Sequence, residues 1–111
     1  MRKRHRTIPP AAIFAALGDD TRLRLIASLT EAGPQSIASL ADGFDISRQA
    51  ISKHLRVMSE AGLAKSGRRG RETVWELEPG GLAEARKYLQ AISHDWDVKL
   101  RRLKELVESD S

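Results

Sequence analysis

Residues 47–63 read SRQAISKHLRVMSEAGL, and within them Arg48, Gln49, Ser52, Lys53 and Arg56 recur in steps of one and three. At about 100° per residue these positions share one side of a helix with Ser59 and Glu60. Ala50, Ile51, His54, Leu55, Val57 and Met58 take the other side. The N-terminal end of the polar side interleaves planar guanidinium and amide groups and a short hydroxyl with cations, and it holds no acid. A guanidinium can donate two parallel hydrogen bonds to guanine, and a side-chain amide can pair twice with adenine. A lysine supplies a point charge for a phosphate. The chemistry on offer is recognition of a polar edge beside a polyanion, with no bond to break. The solvated face of any amphipathic helix has a similar wheel, so the neighbouring segments must decide.

Other chemistries have little to work with. The chain has no cysteine, which excludes disulfides, thiolate nucleophiles and cysteine metal sites. Of the three histidines, His5 lies in a basic N-terminal run, His94 comes late, and His54 falls on the apolar half of the helix above. His54 is expected to pack inward with one hydrogen-bond partner. No Ser/His/Asp set, paired carboxylates or glycine-rich phosphate loop stands out, so no catalytic residue, cofactor or enzyme activity is expected.

Composition fits this reading. A length of 111 residues suggests one domain with a modest core, and 41% hydrophobic with 31% charged residues is ordinary for a globular chain. A net charge of +4 and a pI of about 9.9 favour a polyanionic partner. Bases concentrate at residues 2–6, 48–56 and 65–71, whereas most acids lie in the C-terminal third. No apolar run approaches the ~18 residues of a membrane span. MRKRHRTIPP is basic but lacks the apolar segment of a secretory signal, so a cytoplasmic location without membrane contact is expected.

The elements that must hold the polar stripe can be placed by their caps. Residues 1–10 read as a flexible basic tail, either solvated or following DNA, and residues 11–111 as the folded domain. PAAIFAALG predicts a short helix with proline in its first turn, Gly18 as its stop, and Ile13, Phe14 and Leu17 on one face. Asp19 and Asp20 open a second helix, DDTRLRLIASLTEAG, with Leu23, Ile26, Ala27 and Leu29 or Thr30 as its period. Ser36 caps a third, with Ile37, Leu40 and Ala41 inward, which closes at Gly43. Ser47 caps the fourth, and Gly62 ends it. Residues 63–66 and 71–77 predict two strands around a GRRG loop, with Thr73, Trp75 and Leu77 alternating against Glu72, Val74 and Glu76. PGG at 79–81 predicts a break before one long helix over about 82–108. The expected fold class is mainly α with a small β-hairpin: a winged helix-turn-helix that dimerises through its terminal helices.

Three stretches carry a resemblance. LGDDTRLRLIASL (17–29), SIASLADGFDISRQAISKHLRVMSEAGLAKSGRRGRETVWEL (36–77) and the closing helix resemble the ArsR-type winged-helix transcriptional repressors, nearly everywhere from Ile13 onward. The chain is most similar to a cysteine-free branch whose last helix carries W-D-x-x-L-x-R-L-K, here residues 96–104. The resemblance implies a homodimer that binds double-stranded operator DNA and blocks transcription, often of its own operon. Many relatives release DNA on binding metal, through a cysteine pair on the third helix or an Asp/His/His/Glu set on the last. Here SIASLADG has no thiolate, and Glu105 stands where a second histidine would follow His94, so no metal site is expected.

On that fold the DNA-facing residues are Ser47, Arg48, Gln49, Ser52, Lys53 and Arg56 of the recognition helix and Arg68, Arg69 and Arg71 of the wing. Arg48 and Gln49, in the first turn, are expected to meet bases, with Ser52 and Arg56 one turn on. Ser47 divides between capping and phosphate, Lys53 suits phosphate, and the wing arginines suit phosphates or a minor groove. The wing arginines can also be read as solubilising charge. One helix-turn-helix contacts little DNA, so pairing about a twofold axis is expected. Leu82, Ala85, Leu89, Ile92, Trp96, Leu100, Leu103 and Leu106 or Val107 recur near heptad spacing. The expected interface is Leu89, Ile92, Trp96, Leu100 and Leu103 with Ile13 and Phe14 of the first helix; the alternative makes the stripe intrachain core. Two other readings stay open: a winged-helix module that binds protein, and a repressor with a small-molecule ligand near the seam. No residue pattern names such a ligand.

Overall fold

In the computed structural model, which describes residues 8–109, Pro10 is the first residue of α1 (Pro10–Leu17), where its missing N–H costs nothing. Ile8 already packs against the core, so ordered packing begins ahead of the expected boundary at residue 10. The rest of the basic tail, residues 1–7, lies outside the described residues, as do 110 and 111. Asp19 caps α2 (Asp20–Ala32) by accepting from the Arg22 main-chain N–H at 3.0 Å. That hydrogen bond, reinforced by the Arg22 charge, holds the Asp19 carboxyl below the usual aspartate range.

The inward face of α2 differs from the expected one. Leu25 and Leu29 are buried and Ile26 packs beside them, whereas Leu23 and Ala27 are exposed. Leucines at 23, 25 and 29 allow two helical stripes. The stripe of Leu25 and Leu29, one turn apart, packs against Leu40, Ile51 and Met58 in the core, which leaves Leu23 outside.

Ser36 caps α3 (Ile37–Ala41) through the Ser39 N–H, and Ser47 caps α4 (Arg48–Glu60) through the Ala50 N–H, each at 3.1 Å. Leu40 of α3 and Ile51, Leu55 and Met58 of α4 meet Leu25 and Leu63 in the fully buried centre of the core. Gly62 ends α4 with φ +75°. Its N–H donates to Ser59 O at 3.0 Å, and the Leu63 N–H donates to Met58 O at 2.9 Å. These are the two bonds of a Schellman cap, which favours glycine in its left-handed position.

β1 (Ala64–Arg69) and β2 (Glu72–Leu77) form an antiparallel hairpin with Arg69 opposite Glu72. The loop is therefore Gly70 and Arg71 alone, and most of the expected GRRG loop is strand. Gly70 has φ +65° and Arg71 does not have a positive φ, which matches a two-residue turn with glycine first. Trp75 also exchanges two main-chain hydrogen bonds with Gln35 (2.7 and 2.9 Å), so the loop after α2 adds a third rung to the sheet.

α5 (Pro79–Ser109) begins inside the expected PGG break. Proline and glycine suit a first turn, and Glu78 accepts the Gly80 N–H at 3.3 Å on its side chain. Gly81 has a second role. Its Cα lies against the Gly62 carbonyl, where any Cβ would overlap main chain. The start of α5 is thus seated on the end of α4. Over 31 residues α5 runs about 46 Å, and only Ala85 is buried along it. The radius of gyration is consequently 19.0 Å, against about 13 Å for a compact chain of this size.

The seat is testable. Gly81→Ala should lose on the order of 1–3 kcal/mol in urea unfolding, because main chain cannot yield as a side chain can. Gly80→Ala, whose Cβ meets only Glu78 Oε1 at 3.6 Å, should change by less than about 0.5 kcal/mol. Equal losses would contradict the close contact.

Candidate nucleic-acid interface

The interface is assembled on α3, the turn after it and α4. The turn closes through Gly43 N–H to Leu40 O (3.2 Å) and Phe44 N–H to Ala41 O (3.1 Å). Phe44 packs against the core, and the Arg24 guanidinium of α2 covers its ring at 4.7 Å. Arg24 also donates to Gly43 O at 3.5 Å. The turn is held from behind, which leaves the N-terminus of α4 open in front.

There, Ser47, Arg48, Gln49, Lys53 and Arg56 are exposed and Ser52 is half-buried, while Ile51, Leu55 and Met58 are fully buried. The sequence wheel and the structure agree along the whole helix. The side chains of Arg48, Gln49, Ser52, Lys53 and Arg56 make no hydrogen bond or ion pair with the described residues. Ser47 accepts from Ala50 N–H, and its own O–H remains able to donate. The first turn holds no acid, and first-turn N–H groups carry the positive end of the helix dipole. The surface is therefore a ready acceptor of anions with planar donors beside it.

The wing divides. Lys65 is held in the chain by Glu76 (3.7 Å) and Glu78 (3.6 Å). Arg68, Arg69 and Arg71, near the tip, are exposed and make no ion pair with the described residues. Ala64 is buried at the hairpin's base, and Trp75 and Leu77 pack on the core, so the tip is carried out on an anchored stem.

The expected interface residues separate in the same way. Ile13 is only 4% exposed within one chain, so it packs in the core and offers little surface to a partner. It joins the same buried cluster as Ala16, Leu25 and Met58. Phe14 is half-buried, with its ring 5.6 Å from that of Tyr88. Leu89, Ile92, Trp96, Leu100 and Leu103 are all exposed, Trp96 at 58%. The intrachain-core alternative fails beyond Leu82 and Ala85, because the domain ends before the helix does.

His54 is partly buried, as the wheel places it, and it contacts Arg22 and Asp19. His94 is exposed, and no group of three or more ligating side chains converges among the described residues. Sequence reading missed Gln35 and Arg22. Gln35 bonds Ser28 and Ser39 as well as Trp75. The one available signal was a polar residue forced onto a buried face, as His54 is, since such a group needs a partner.

A family of helix-turn-helix domains matches residues 17–66. The chain is 33% identical over 101 residues to the HTH-type transcriptional regulator Rv2034 of Mycobacterium tuberculosis, covering 91% of each. It is 29% identical over 100 residues to the arsenical resistance operon repressor of Escherichia coli, covering 90% of this chain and 83% of that one. The solved ArsR-like transcriptional regulator from Rhodococcus sp. RHA1 matches with a TM-score of 0.78 at 38% identity, over 89% of this chain and 90% of that one. With a capped polar helix behind a tight turn, a basic hairpin after it and relatives along nearly its full length, the chain belongs to the ArsR family of DNA-binding, winged helix-turn-helix transcriptional regulators.

Proposed function

We propose that this regulator is a homodimeric repressor that reads an inverted-repeat operator with α4, holds phosphates with its wing, acts in the cytoplasm and does not respond to metal. The observation that carries the reading is how the cations are used. Arg22, Arg24 and Lys65 are engaged by their own chain. Arg48, Lys53, Arg56, Arg68, Arg69 and Arg71 have no acidic partner among the described residues. Arg86, Arg101 and Arg102 of α5 have none either, but the first six gather on two elements in contact, α4 and the hairpin. Unpaired cations gain most from phosphate, because no intrachain partner must be given up, and each contact releases counterions. Arg48 and Gln49 sit where a helix entering the major groove meets base edges, and Ser52 and Arg56 follow them. Ser47 can donate to phosphate while it caps the helix.

Pairing is supported by the exposed stripe Leu89, Ile92, Trp96, Leu100 and Leu103, continued by Leu106 and Val107, with Phe14 beside its start. So much aligned apolar surface on one helix is what a partner helix covers. The absence of metal control is supported by a chain without cysteine, which offers no thiolate to arsenite or a soft metal.

Binding to operator and scrambled duplexes over a salt series tests the reading head. Arg48→Ala and Gln49→Ala should each cost ~1–3 kcal/mol on the operator and relax discrimination at particular positions. Lys53→Ala and Arg69→Ala should weaken both duplexes alike and flatten the log-affinity against log-salt slope by about one ion. Wild-type affinity in the Arg48 and Gln49 variants would remove α4 from the role.

Sedimentation tests the seam. The wild type should be a dimer at micromolar concentration, and Trp96→Glu and Leu103→Glu should each shift it to monomer by burying a charge. A monomeric wild type, or dimeric glutamate variants, would rule the seam out. Zinc and arsenite titrations should leave operator affinity unchanged, and a stoichiometric zinc complex that releases DNA would overturn that part.

A further inference from the structure

One polar cluster takes no part in this reading of DNA. His54 lies on the inner half of α4, away from Arg48 and Gln49, with its Nδ1 3.2 Å from Arg22 Nη1 and 3.8 Å from Asp19 Oδ2. The same guanidinium donates from Nε to Ala16 O at 2.6 Å and from Nη2 to Ala15 O at 3.3 Å. Those carbonyls belong to the last turn of α1, where main-chain donors run short (Ala15 O also accepts the Gly18 N–H at 3.2 Å) and the negative end of the helix dipole lies. One side chain thus ties the end of α1, the start of α2 and the middle of α4.

A guanidinium only donates, so a hydrogen bond across this contact has His54 Nδ1 as its acceptor and the ring proton on Nε2. We propose that His54 is a positioning residue for DNA recognition: by accepting from Arg22 it fixes the rotation of α4, and with it the aim of Arg48 and Gln49. The proposal rests on α4 being the reading head. It also gives the reading head a direct tie to α1, whose Phe14 packs on Tyr88 at the start of the α5 stripe.

The tie depends on protonation. Among the described residues, the charged groups in contact with His54 are Arg22 and Asp19. Its neighbours one turn away on α4, Ala50, Ile51, Val57 and Met58, are apolar, and α1 carries no charged side chain. A protonated His54 cannot accept. It would set an N–H and a positive charge against the guanidinium and turn towards Asp19, which frees α4 from Arg22.

The test uses an inverted-repeat duplex selected by the wild type from a random-sequence pool, against its scrambled version. The ratio of the two affinities is read, because acidification makes any protein more positive and strengthens its attraction to any duplex. Between about pH 8 and about pH 5.5 the wild type should lose roughly tenfold in this ratio. His54→Leu, which removes the acceptor, should show the lowered ratio at both pH values while remaining dimeric. His54→Asn, whose Oδ1 can stand where Nδ1 stood, should keep the high ratio at both. The wild-type profile needs no substitution, so it decides even if His54→Leu fails to fold. Folded His54→Leu dimers with the wild-type ratio, a wild-type ratio flat with pH, or wild type and His54→Asn falling in parallel on acidification would each overturn the proposal. If the wild type prefers no selected duplex over its scrambled form, the reading of α4 fails and this positioning role fails with it.

Discussion

The structure depends on burying one face of α4. A 13-residue helix is marginal by itself in water. Ile51, Leu55 and Met58 are fully buried, and each contributes about 1.5–3 kcal/mol by leaving solvent. The same burial decides which face of the helix turns inward, because turning it by one residue would expose Leu55 or Ile51; the Arg22–His54 contact is the proposed finer setting of that rotation. Arg48, Gln49, Ser52, Lys53 and Arg56 are therefore aimed outward by the core, without a contact of their own. Stability uses one side of this helix, and the proposed recognition uses the other. On the proposed reading, a substitution on the outer stripe changes what is bound while the fold stands.

The other elements support that orientation. Ser47 starts α4 and the Gly62 cap ends it, so its length is defined at both ends. Arg24 holds the preceding turn, Arg22 reaches the helix from behind, and Gly81 seats α5 on its last turn. The Gln35 rung stiffens the hairpin's stem, so the arginines at its tip are carried at a set place relative to α4. α5 then leaves the domain with its apolar stripe uncovered. A chain that had only to fold would have little use for a helix exposing Trp96, Leu100 and Leu103. If that stripe pairs two copies, as proposed, pairing also sets the distance between two reading helices.

Much of this is legible in the sequence wherever the cause is local. Ser36, Ser47 and Asp19 announce helix starts because a cap acts within three residues of itself. The wheel of α4 sorts its two faces correctly because Ile51, Leu55 and Met58 leave only one apolar stripe. Where two stripes compete, as with Leu23, Leu25 and Leu29 in α2, sequence cannot choose, since packing against residues distant in the chain decides which is buried. PGG misleads because proline and glycine serve equally to end a segment and to open a helix. The hairpin reaches further than expected because main-chain pairing, not side-chain type, carries Gly67 and Arg68. The burial of Ile13 is not legible either, because a short apolar helix does not reveal which of its sides meets its own domain. The Gln35–Trp75 rung and the Arg22–His54 contact join residues 40 and 32 positions apart, and no local pattern encodes such distances.

Two α4 helices related by the seam should read two half-sites on one face of a duplex. The sharpest check is affinity for a series of duplexes in which the half-sites of the selected repeat are moved apart one base pair at a time. Successive major grooves on one face are about 34 Å, or roughly 10 base pairs, apart. Affinity should peak at one centre-to-centre spacing near that value and fall steeply when about 5 base pairs are inserted, which carries the second half-site to the opposite face. Affinity indifferent to the spacing, with one half-site binding as well as two, would contradict paired reading by α4.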